Sequence, residues 1–154
     1  MTLRKKLDAF MKAISPDDYH ALVDDLYDIV CDGVNGESHH FSEAEMRAFE
    51  DKDYRHAYFD EFLNSAIATQ IKVLREQRDW TQEDLAERVN VKQETISRLE
   101  DVDYSAWTFG ILRSLAGAFD LTLCVSFESF GKRLDDFGKF SRENLEKDSS
   151  KDDL

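Results

Sequence analysis

One proline, six glycines and two cysteines are all that 154 residues hold of the types that break, loosen or cross-link a chain. So few breakers leave room for long helices. With strand-like alternation confined to one short stretch, a mainly α-helical protein is expected. Cys31 and Cys124 lie far apart and neither belongs to a CxxC. That speaks against a zinc site and a paired redox motif, and makes a reducing cytoplasm the expected compartment. No apolar run reaches the roughly 18 residues a membrane span needs. The opening MTLRKKLDAFMKAI is basic but leads into no apolar signal core. A phosphate-cradling glycine loop, a nucleophile elbow and an HExxH are all missing, so no catalytic residue, cofactor or metal is expected.

Positive charge is also short. Lys and Arg number 20 against 33 Asp and Glu, a net charge of −13. The excess is uneven. Residues 1–64 hold 15 acidic and 7 basic side chains, 65–127 hold 10 and 7, and 128–154 hold 8 and 6. Affinity for a polyanion depends on local cations rather than on the whole chain, so the acidic first third does not exclude one. The acidic pairs Asp17-Asp18 and Asp24-Asp25 lack calcium-loop spacing and read as solvated helix faces. His39-His40, eight residues beyond Cys31, read as loop histidines.

What is present is helical periodicity. Leu3, Leu7, Phe10, Met11 and Ile14 mark an amphipathic helix. Ser15-Pro16-Asp17-Asp18 then opens a second, burying Leu22, Val23, Leu26, Ile29 and Val30. Ser42 with Glu45 three residues on is a capping-box pattern. It starts a helical stretch through Tyr58, Phe62, Ile67, Ile71 and Leu74, either one long helix or two that abut near Asn64-Ser65. Between 121 and 127, Leu, Leu, Val and Phe alternate with Thr, Cys and Ser, the period of a strand. A lone strand needs a partner, and pairing with its own copy across a two-fold axis would supply one. Beyond Ser129 the chain is charged, with the composition of partial disorder, though Phe130, Leu134, Phe137 and Phe140 are too apolar for a wholly solvated tail.

The informative text is TQEDLAERVNVKQETISRLED, from Thr81 to Asp101. Thr81 with Asp84 is a variant capping box. Leu85 and Ala86 face inward, Ala86 being small where two helices cross. Asn90 stands where the chain turns sharply and tolerates left-handed backbone. Val91, Ile96 and Leu99 bury the next helix and leave Lys92, Gln93, Glu94, Thr95, Ser97 and Arg98 outward. Two short helices with a polar outer face on the second fit the geometry that reads a DNA major groove. Gln93 can pair with adenine, Lys92 can reach guanine or a phosphate, and Thr95 and Ser97 offer hydroxyls. Gln82 starts the preceding helix and can donate to a phosphate. Thr108, after Trp107, caps a closing helix that ends near Phe119.

From Ile67 to Phe119 the text resembles the lambda-repressor-like, XRE-type helix-turn-helix family. The matching residues are IKVLREQRDWTQEDLAERVNVKQETISRLED and TFGILRSLAGAFD. VKQETIS followed by LTLCV is similar to HipB-type antitoxins. The resemblance implies a helix-turn-helix core with a C-terminal strand pairing across a dimer. It implies phosphate contact by Gln82 and groove contact by Lys92, Gln93, Thr95 and Ser97. Asn90 replaces the usual turn glycine, and Glu94 brings a negative charge to the groove face.

The fold expected is therefore a lambda-repressor-like helix-turn-helix at 64–120, with an N-terminal helical extension at 1–63. One strand at 121–129 follows as a dimerisation element, and then a charged, partly disordered tail at 130–154. The function expected is sequence-specific binding of double-stranded DNA at a pseudo-palindromic operator by a cytoplasmic homodimer, as a transcriptional repressor. Gln82, Lys92, Gln93, Glu94, Thr95, Ser97 and Arg98 form the DNA-binding set. Two alternatives are an antitoxin that neutralises a protein toxin and controls its own operon, and a protein-interaction module that leaves the DNA face unused.

Overall fold

A computed structural model describes residues 41–137 and 140–149. The helices read over 3–14 and 16–30, Cys31 and His39-His40 lie outside the described residues. Seven helices follow in order: α1 (Glu43–Ala48), α2 (Lys52–Gln77), α3 (Gln82–Val89), α4 (Gln93–Leu99), α5 (Phe109–Phe119), α6 (Phe130–Phe137) and α7 (Arg142–Leu145).

Local chemistry sets most helix starts. Ser42 Oγ accepts from the Glu45 amide at 3.3 Å, and Glu45 Oε2 accepts from the Ser42 amide at 2.6 Å, closing the box that opens α1. Asp51 caps α2 through the Tyr54 amide at 2.8 Å. Thr108 caps α5 through the Ile111 amide. Three helices end on a residue in left-handed backbone, Asp79, Asn90 and Asp120, with φ of 55°, 59° and 58°. In each case the next amide reaches back five residues: Trp80 to Arg75, Val91 to Ala86 and Leu121 to Ala116. Asp and Asn take this conformation more readily than most side chains, which is how the chain turns sharply without glycine.

α2 settles the question left open at Asn64-Ser65: it runs through both unbroken. Each residue is a mediocre helix former, at about half a kcal/mol, and burial on either side outweighs that. The N-terminal half of α2 buries Tyr54, Tyr58 and Phe62 with Phe49 in one cluster. The C-terminal half buries Ile71 and Leu74 with Leu85, Ala86, Ile96, Leu99, Leu115 and Phe119 in another. One helix thus joins an aromatic core to the core of α3, α4 and α5.

The tail completes the aromatic core. Phe130, Leu134 and Phe140 pack against it. Phe130 meets Phe49 and Phe59 edge-on at 5.3 Å, and Phe140 meets Phe62 edge-on at 5.2 Å, the arrangement ring quadrupoles favour. Arg55 lies over the Phe130 ring and donates to the Phe49 carbonyl. Burial, with some help from Glu45, pushes the Tyr54 hydroxyl up to about 12. Residues 141–147 then reach the C-terminal end of α2. There Lys147 N donates to Gln77 Oε1, and Arg78 Nη2 donates to the Lys147 carbonyl at 3.2 Å.

The expected strand at 121–127 is corrected. Residues 121–129 form neither helix nor strand, and no strand occurs among the described residues. Alternation specifies a face, but a strand exists only through ladder hydrogen bonds to a neighbour, and the described residues offer this segment none. Val125 is 62% exposed and Phe127 fully so. No described helix is long and apolar enough to cross a membrane.

Candidate nucleic-acid interface

α3 and α4 pack on each other with Leu85 and Ile96 fully enclosed and Ala86 3% exposed. The left-handed turn at Asn90 swings the chain between them. α4 then presents Gln93, Glu94, Ser97 and Arg98 outward, one exposed stripe at helical spacing, with Thr95 half-buried at its border. Lys92 is the exposed N-cap residue and makes no side-chain capping bond. Lys92 and Arg98 enter no ion pair among the described residues, so both cations stay available to an anion.

Two of the expected residues touch. Gln93 Nε2 donates to Gln82 Oε1 at 2.7 Å across the gap between α4 and α3. Gln82 is itself held, its Nε2 donating to Glu100 Oε2 at 2.9 Å. Glu100, whose side chain is 4% exposed, also takes one edge of Arg75 with both oxygens: Nε to Oε1 at 2.6 Å and Nη2 to Oε2 at 3.0 Å. The third nitrogen of Arg75, Nη1, donates to the Trp80 carbonyl at 2.7 Å, fixing the residue before the α3 cap. The hydrogen bond to Glu100 holds the Arg75 guanidinium above its ordinary pKa. A bidentate fork of this kind is the strong form of an arginine–carboxylate contact.

At the front of α3, Asp84 accepts from both the Thr81 amide and hydroxyl, which hold its carboxyl below the usual carboxylate range. Behind it, Arg88 stacks over Trp80 at 4.1 Å and Trp80 stacks on Phe119 at 5.9 Å, fixing α3 against α5.

Hydrogen-bond counting states what the exposed face can do. Gln93 uses one Nε2–H on Gln82 and keeps one N–H and its carbonyl oxygen, a donor and an acceptor side by side. That pair is the complement of adenine's N7 and N6 in the major groove. Gln82 likewise keeps one N–H for an anion. Sequence reading did not find Arg75 and Glu100, which orient this pair from 25 residues apart. The only local signal was a charged residue directly following an apolar one, Leu74-Arg75 and Leu99-Glu100, at the edge of each buried stripe.

The sequence of this region has counterparts among known proteins. Residues 71–125 match the helix-turn-helix family. Over 61 residues the chain is 41% identical to the protein named antitoxin HipB of Escherichia coli O6:H1, covering 38% of this chain and 63% of that one. The antitoxin HipB of Escherichia coli strain K12 is 41% identical over 61 residues, 67% of its length. The chain thus spans about two thirds of these relatives, and its own first 60 residues have no part in the family match. No solved structure matches.

Proposed function

The chain belongs to the XRE-type helix-turn-helix family through residues 71–125, and from that premise we propose that it is a sequence-specific, double-stranded DNA-binding regulator acting as a repressor. The observation that carries this reading is the Gln82–Gln93 pair, tied through Glu100 to Arg75 and leaving one donor and one acceptor on an exposed helix. Held in this way, Gln93 reads a base with little side-chain entropy left to lose. Gln82 takes a phosphate with its remaining N–H. Lys92 and Arg98 supply charge, Thr95 and Ser97 polar contacts, and Glu94 penalises a phosphate brought too close and accepts from a cytosine amino group.

The protein works in the cytoplasm as a homodimer whose two-fold interface includes Val125 and Phe127. A pseudo-palindromic operator follows, its half-sites set by the spacing of the two α4 helices. A second reading is that of an antitoxin that also binds a protein toxin. Its similarity to the HipB antitoxins favours it.

Selection of duplexes from a random pool by the purified full-length protein, followed by a salt titration on the best duplex, tests the proposal. The expected outcome is a pseudo-palindromic consensus. Affinity should fall with salt at a log–log slope near −2 per half-site, about −0.9 for each of Lys92 and Arg98. No enriched sequence together with a flat salt response would remove DNA binding altogether.

A further inference from the structure

The C-terminal segment docks on the back of the long helix, outside the family match, yet it reaches the reading face through side chains. Arg142 Nη1 donates to Glu76 Oε2 at 3.0 Å. The other oxygen of the same carboxylate, Glu76 Oε1, lies 3.9 Å from Arg75 Nη2. Arg75 Nη2 in turn donates to Glu100 Oε2, the atom that holds Gln82, and Gln82 holds Gln93. Two carboxylates therefore contend for one guanidinium edge. Glu100 holds it at 3.0 Å, and Glu76 stands off with its charge turned to the tail.

We propose that Arg142 is a positioning residue for DNA reading: by engaging Glu76 it keeps that carboxylate off Arg75, and so leaves Glu100 free to fix the Gln82–Gln93 pair. The inference rests on the reading of Gln93 as a base contact for its consequence, though not for its mechanism. Without Arg142, the ion-pair partner left to Glu76 among the described residues is Arg75, one residue before it in sequence and already within 4 Å. Closing that gap draws Nη2 away from Glu100 Oε2 and slackens the carboxylate that orients Gln82. Other anchors of the tail, Lys147 N to Gln77 and Arg78 to the Lys147 carbonyl, do not involve Arg75. They hold the segment without touching the relay. The tail is thus a second surface from which reading of DNA can be tuned: whatever lifts residues 141–147 releases Glu76.

Two measurements on the full chain test this, with Arg142→Ala and with the double variant Glu76→Gln/Arg142→Ala. In the free protein, the side-chain NMR signals of Arg75 Nε–H and Gln82 and Gln93 Nε2–H2 should shift in Arg142→Ala. They should return toward wild type in the double variant, because a neutral amide no longer competes for Arg75. On DNA, the ratio of affinities for the selected duplex and a scrambled one should fall about two- to five-fold in Arg142→Ala, the scale of a partly exposed ion pair. It should recover in the double variant. Simple undocking of the tail would not be reversed by Glu76→Gln, so a double variant no better than Arg142→Ala overturns the relay, as do unmoved signals in Arg142→Ala. If the signals behave as stated but wild type prefers neither duplex, the relay stands and the DNA reading falls.

Discussion

Glu100→Ala is expected to destabilise the protein by about 3–5 kcal/mol, the cost of leaving a buried charge without its partner. The Arg75 side chain is only 12% exposed, and loss of Glu100 removes two of its hydrogen bonds. What remains is the Trp80 carbonyl and a carboxylate 3.9 Å away that already serves Arg142. Domains of this size have about 5–15 kcal/mol in total, so the variant should melt well below wild type by circular dichroism. Replacing both partners, Arg75→Met with Glu100→Leu, should recover much of the loss, because no charge is then left buried. It should not recover sequence discrimination, since Gln82 would still lack its acceptor. Stability and reading would come apart in that one variant. A loss under about 1 kcal/mol for Glu100→Ala would mean that water reaches Arg75 and that the fork is a surface feature.

Leu85→Ala is expected to cost about 2–5 kcal/mol by chemical denaturation, through lost burial and the cavity left behind. Leu85 has no exposed surface and sits in the core shared by α3, α4, α5 and the end of α2. Leu63→Ala, on α2 but 48% exposed, is the control: it should stay within about 0.5 kcal/mol of wild type. Similar losses at the two sites would mean that the burial pattern around Leu85 is wrong.

The parts of this architecture that were legible in the sequence are those that depend on a few neighbouring residues. Ser42 with Glu45 and Thr81 with Asp84 each form their box within four residues, so the text alone placed those helix starts. Asn90 could be read as a left-handed turn because its own side chain decides that preference. The inward set Leu85, Ala86, Val91, Ile96 and Leu99 followed from periodicity; four are buried, and Val91 packs half-buried against them. The features that were not legible depend on distant partners. Arg75 and Glu100 meet from 25 residues apart, and nothing in either neighbourhood names the other. Phe130, Leu134 and Phe140 were visibly too apolar for a solvated tail, but that they pack against the cluster of Phe49 and Phe62 across some 80 residues follows only from the fold. At 121–127 the alternation is real and the strand is not, because alternation describes side chains and a strand requires a neighbour's backbone. The unbroken helix at Asn64-Ser65 is the opposite case, weak local preference overridden by burial at Phe62 and Ala68.

Whether α4 reads bases is decided by Gln93→Ala measured on two duplexes. The side chain is exposed and its one bond among the described residues is to Gln82, so the variant should fold as wild type does. Titration at one fixed salt concentration, on the duplex selected from the pool and on a scrambled duplex, gives the discrimination free energy of each protein. Gln93→Ala should lose about 1–3 kcal/mol on the selected duplex, little on the scrambled one, and relax preference at one base pair per half-site. Equal losses on the two duplexes, or no loss on either, would contradict it.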